Sequence, residues 1–121
     1  MTPDLFLLVM LGGAVGAVVR FAAVHLTRRT RFPWAVLVMN AVGSFIAGLT
    51  VAAGGELSPE WTPIIVSGFC AGLTTYSTFA VDTVRLWQSG RGRSALGNAV
   101  SNLALGIGAA ALGVAIGLTF I

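Results

Sequence analysis

Four apolar runs, at residues 5–27, 33–53, 61–87 and 95–121, occupy almost the whole 121-residue chain. A bilayer core about 30 Å thick needs ~20 such residues per helix, and each run meets that length. Inside hydrocarbon every backbone N–H and C=O must find its partner within the protein, so runs of this kind span as helices. Only Arg28–Arg31, Gly54–Glu60 and Gln88–Ser94 stand between them. Connections this short force an up-down-up-down path with both termini on one side. The expectation is an all-α membrane protein, one four-helix domain over residues 1–121. The leading Met1–Asp4 carries no basic segment and the first run is long for a signal peptide, so it reads as a retained span. Trp34, Trp61 and Trp87 fall at run ends, where an amphipathic indole prefers the headgroup level.

Charge is scarce and sorted. Only 9% of residues are charged, against ~25% in ordinary soluble domains, which argues against a soluble enzyme. The chain has no nucleophile–base pair and no metal-ligand cluster. Its single Cys70 excludes an internal disulfide and a cysteine zinc site. The net charge of +3 comes from seven arginines and no lysine. Arg28, Arg29 and Arg31 occupy the first gap, Arg91 and Arg93 the third, and Arg20 and Arg85 the halves of their spans nearest that side. Asp4, Glu56 and Glu60 lie at the other side. This is membrane topology and not a nucleic-acid face. The positive-inside rule puts the arginines in the cytoplasm and the termini outside, in a plasma-membrane protein.

The uncharged polar residues are sorted by depth as well. The third run centres on Thr74, inside Thr74-Thr75-Tyr76-Ser77-Thr78, with Gly68 and Gly72 just before it. Five hydroxyls in succession at mid-depth are not how a plain anchor is written. Arg20 is four residues past the centre of its span, roughly 6 Å by helical rise. Asn40, Asp82, Asn98, Ser101 and Asn102 sit in the same half of theirs, and Asn98 and Asn102 share a helix face. The opposite half is nearly all apolar. One copy therefore builds half a polar path, and an inverted second copy would supply the rest, as inverted repeats do in transporters. Interhelical hydrogen bonds worth ~0.6 kcal/mol each are the plainer explanation for any one of these residues, but they account less well for the one-sided depth.

No Glu, Asp or His lies deep enough to carry protons, since His25 is at a span end and Asp82 is about 12 Å from mid-depth by helical rise. Proton-coupled pumps place such groups there. The groups available are hydroxyls, the Asn40 amide, and the ring edges of Tyr76 and Phe79, donors that suit a small anion. Hydroxyls also accept, so this inventory leaves a cation or water path open. Gly12–Ala17 follows no strand and makes a very weak nucleotide-binding turn. Gly12/Gly16, Ser44/Gly48 and Gly113/Gly117 instead have the spacing of close helix packing.

The run from Gly12 to Arg20, then Asn40-Ala41-Val42-Gly43-Ser44-Phe45, then Ser67 to Phe79 resemble the Fluc, or CrcB, fluoride-channel family, and Asn98 and Asn102 ahead of Gly106 look similar. The resemblance covers nearly the whole chain. It implies a passive channel that exports toxic fluoride from the cytoplasm. It also implies an antiparallel, dual-topology dimer with two pores and a third helix broken at mid-membrane. A structural sodium ion is implied there, held by backbone carbonyls that map onto Ala71 and Thr74; the family usually has Gly at the first position. The pore aromatics map onto Tyr76, where Phe is usual, and Phe79; the pore asparagine maps onto Asn40. Ser77 and Thr78 match the polar track, and Arg20 the basic residue that draws anions into the cytoplasmic vestibule. A four-helix multidrug or cation exporter is the main alternative, but it needs a carboxylate in the first span, where this chain has Arg20. A structural membrane subunit would have no use for the midplane hydroxyls. Because all arginines favour one side, the expected partner is an oppositely biased paralogue as readily as a second copy.

Overall fold

The computed structural model describes residues 1–27 and 30–121, and the expected placement of Arg28 and Arg29 lies outside the described residues. The described residues are helical with no strand. Helix α1 spans Pro3–Leu26, α2 Trp34–Ala52 and α5 Gly92–Phe120. Between α2 and α5 a π-helical stretch, Pro63–Cys70, runs directly into the short α3, Ala71–Leu73, and α4 follows at Ser77–Gln88. Four segments are long and apolar enough to cross a membrane: Pro3–Leu26, Trp34–Gly55, Pro63–Gln88 and Gly92–Phe120. They coincide with the four hydropathic runs, with ends moved by local backbone chemistry. At α1, the Thr2 hydroxyl accepts the Leu5 N–H and Pro3 starts the helix, so it begins before the apolar run does. At α5, Gly90 turns the chain with φ +78, and the Arg91 N–H closes back on the Leu86 carbonyl. Glycine tolerates that left-handed conformation and so allows the next helix to start at once.

Glycines set how the helices pair. On α1, Gly12 and Gly16 face the backbone of the third segment, and Gly68 and Gly72 face α1 in return. A Cβ on Gly68 would lie 2.7 Å from the Val9 carbonyl oxygen, and one on Gly72 would run into the Gly13 carbonyl. Across the domain, α2 packs on α5 through Gly48 against Ala110 and Gly113 against Phe45. Small residues permit this backbone-to-backbone approach, which supplies the dispersion contact that drives association in lipid. Few apolar side chains are buried, Val36, Leu37, Leu73 and Leu86 among them, while Phe6, Leu11, Phe21, Leu103 and Leu118 point outward. Such an inside-poor, outside-apolar chain suits lipid as its solvent.

Candidate functional site

The third segment leaves helical geometry between Leu73 and Ser77, with Thr74 extended at φ −81, ψ 157. Stopping one helix and starting another frees carbonyls at the first and N–H groups at the second. Without water each needs a replacement partner, and those partners define the site. The Thr74 N–H and hydroxyl both donate to the Cys70 carbonyl, each at 2.9 Å, and close the end of α3. The Thr74 carbonyl accepts from Arg20 Nη1 at 2.8 Å. Thr75 is held on both sides by one side chain: its N–H donates to Asn40 Oδ1 at 2.9 Å, and its carbonyl accepts from Asn40 Nδ2 at 3.2 Å. A carboxamide carries one acceptor beside donors, so it pairs with a main-chain residue as a neighbouring strand would. The Thr75 hydroxyl then accepts the Thr78 N–H at 3.2 Å and caps α4.

A chain of side chains runs on from Asn40 through the α2–α5 and α4–α5 contacts. Asn40 Nδ2 donates to Asn102 Oδ1 at 2.9 Å, and Asn102 Nδ2 donates to Asn98 Oδ1 at 2.9 Å. Asn98 Nδ2 donates to Thr83 Oγ1 at 2.9 Å, and the Thr83 hydroxyl donates to the Phe79 carbonyl at 2.8 Å.

Two cavities flank this assembly. A groove of about 550 Å³ is walled by Asn40, Ser44, Thr75, Tyr76, Phe79 and Asn102. A second cavity of about 520 Å³ lies toward the arginine-bearing side and is lined by Thr78, Asp82, Arg31, Arg85 and Arg91 among others. Thr75 lines the first and Thr78 the second, and the Thr75 hydroxyl donates to the Thr78 hydroxyl at 3.2 Å. One lining residue of each cavity is thus tied to the other by a bond between hydroxyls. The Tyr76 and Phe79 rings stand 5.8 Å apart at 52°, and Tyr76 is 80% exposed.

The structure gathers Asn40, Thr74, Tyr76 and Phe79 on one groove. Thr78 faces the neighbouring cavity, and the exposed Ser77 places its hydroxyl 3.4 Å from that of Thr75. Arg20 reaches the Thr74 carbonyl. Ala71 is exposed, and its carbonyl has lost its helical donor, because the Thr75 N–H is turned to Asn40. In the sequence Thr75 stands out only as one of five successive hydroxyls, and Thr83 does not stand out. The signals were present in the i, i+4 spacings of Asn98 with Asn102 and of Phe79 with Thr83. Among the described residues no three His, Cys, Asp or Glu side chains converge as a metal site.

The family described as "CrcB-like protein, Camphor Resistance (CrcB)" matches residues 7–114. "Fluoride-specific ion channel FluC" of Renibacterium salmoninarum is 45% identical over 117 residues, covering 88% of this chain and 93% of the relative. "Fluoride-specific ion channel FluC 1" of Streptomyces avermitilis is 40% identical over 114 residues, covering 90% and 92%. "Fluoride-specific ion channel FluC 2" of Haloarcula marismortui is 42% identical over 106 residues, covering 85% and 87%.

Proposed function

The chain belongs to the CrcB-like family, and from that membership we propose that this multi-pass membrane protein is a fluoride-selective channel, not an enzyme, that lets fluoride leave the cytoplasm passively. The observation that carries this reading is the groove at the helix interruption. It is walled by hydroxyls, amides and two aromatic rings, and among the described residues no ionisable side chain lines it apart from the Tyr76 phenol. Fluoride is a small, strongly hydrated anion and needs donors to replace its water. Tyr76 and Ser44 offer hydroxyls there, and the ring edges of Phe79 and Tyr76 carry partial positive charge. Neutral donors compensate a dehydrated anion without trapping it, as conduction requires. The Tyr76 hydroxyl adds a conventional donor to what a Phe ring would present by its edge alone.

Arg20, which the resemblance casts as an attractor of anions, is engaged on the Thr74 carbonyl. The guanidinium keeps its positive charge in that bond, and Arg31, Arg85 and Arg91, which line the second cavity, add to the attraction at the arginine-side mouth. Thr78 and Ser77 continue the polar surface from that cavity toward Thr75. One chain supplies its polar groups to one half of the membrane's depth, which supports an antiparallel dimer, formed with a second copy or with an oppositely biased paralogue. The charge bias supports termini outside and arginines in the cytoplasm.

The groups at the interruption also suit a structural sodium ion. The Ala71 carbonyl lacks its helical donor, and the Thr74 carbonyl has one of its two lone pairs taken by Arg20. Ala71 and Thr74 from each subunit would hold the ion, whose charge would compensate carbonyl oxygens removed from water. A proton-coupled multidrug exporter, the competing reading, finds no carboxylate in α1 beyond Asp4 in its first turn. Fluoride efflux from proteoliposomes tests the proposal, and the expected result is rapid fluoride loss with chloride retained.

A further inference from the structure

Asn98 touches neither cavity and is 0% exposed, yet its side chain is fully engaged. An amide buried so deeply is costly unless every polar atom is partnered, and here all are. Its Oδ1 accepts from Asn102, its Nδ2 donates to Thr83 Oγ1, and its main-chain carbonyl also accepts from Asn102 Nδ2 at 3.0 Å. The sense of these bonds is dictated from the Thr83 end. A threonine hydroxyl has one proton, and that of Thr83 goes to the Phe79 carbonyl. The Thr83 oxygen is then left to accept, so the NH₂ of Asn98 must face it and Oδ1 must face Asn102. The Asn102 NH₂ is thereby turned to Asn98 and its Oδ1 to Asn40. Asn40 in turn points one N–H at Asn102 and the other at the Thr75 carbonyl, with Oδ1 on the Thr75 N–H. Reversed amides anywhere along the row would set two donors or two acceptors against each other.

We infer that Asn98 is a positioning residue for ion selection: through Asn102 it fixes the orientation of the Asn40 amide that grips Thr75, and through Thr83 it ties that orientation to Phe79. This rests on the channel reading above and extends it. Both ends of the row, Thr75 and Phe79, line the groove, so a residue that never meets the ion sets the geometry of two that do. The same polarity uses both Asn40 Nδ2 protons, on Thr75 and on Asn102, and leaves the groove's hydroxyls and ring edges as the donors an anion meets.

The test reconstitutes wild type, Asn98→Leu, Thr83→Val and the double variant, each matched for assembled protein. It measures fluoride flux and the reversal potential in a fluoride/chloride gradient. Loss of folded channels lowers flux but leaves the reversal potential alone, so the potential separates positioning from mere stability. The expected result is about a tenfold fall in fluoride flux and a shift of potential toward that of chloride in each single variant, with the double no worse than Asn98→Leu. Should Asn98→Leu fail to assemble, the nearly isosteric Thr83→Val decides alone. Wild-type flux and potential in the variants, or effects that multiply in the double, would overturn the inference. A wild-type protein that passes no fluoride would instead remove the channel reading beneath it.

Discussion

Replacing Arg20 separates two roles a cation at this depth can play. The guanidinium donates to the Thr74 carbonyl at 2.8 Å, across 54 residues of sequence, and so holds α1 to the point where the third segment leaves its helix. A hydrogen bond from a charged donor contributes about 1.5–3 kcal/mol. At 1.4 kcal/mol per factor of ten, Arg20→Met should shift the balance between the ordered and the opened interruption by about 10- to 150-fold. Met keeps most of the side-chain length and removes the donor. The expected outcome is a lower unfolding temperature of the purified protein and a fall in fluoride flux of about that size. Ionic strength then decides between roles. A free charge that draws anions inward is screened when salt rises from about 0.01 to 1 M, as the Debye length falls from roughly 30 to 3 Å. A hydrogen bond on a carbonyl in a water-poor site is not. The flux ratio of wild type to Arg20→Met should therefore be the same at both salt concentrations. A ratio that collapses toward one at high salt, with the unfolding temperature unchanged, would refute the holding role and restore the attractor.

Three further outcomes follow from the same geometry. Gly68→Ala places a Cβ 2.7 Å from the Val9 carbonyl oxygen, and overpacking of this kind costs about 1–3 kcal/mol; Gly97→Ala, with nothing within 4 Å, should be neutral or slightly stabilising in the same thermal unfolding series. Phe79→Ile should reduce fluoride flux while the assembly elutes unchanged on size exclusion, and undiminished flux would argue against a ring-lined path. Labelling of both termini in native membranes should find them predominantly outside, as the arginine distribution requires; equal populations facing each way would remove the paralogue-partner proposal.

The four spans were readable because hydropathy over twenty residues is a strong signal and short gaps leave one path. Their ends were not, because a helix starts where Thr2 caps it and turns where Gly90 takes a positive φ, features a hydropathy run ignores. The packing glycines were legible as spacings, and the structure adds that Gly12 and Gly16 meet Gly68 and Gly72. The groove is harder to foresee. Thr74, Thr75 and Thr78 look alike in sequence, and only the interruption makes Thr75 the hub that Asn40 grips and that caps α4. The sequence does not name the partner of Arg20. Its engagement on a main-chain carbonyl depends on how the glycine contact registers α1 against the third segment, which no local pattern encodes.

Fluoride efflux from proteoliposomes, with a potassium ionophore balancing charge, reaches the central claim most directly. Vesicles loaded with potassium fluoride should lose it on addition of the ionophore when they contain the protein and hold their fluoride when they do not. Parallel vesicles loaded with potassium chloride should retain it. Fluoride that stays inside, or chloride that leaves at a similar rate, would contradict a fluoride-selective path through the hydroxyl-lined groove.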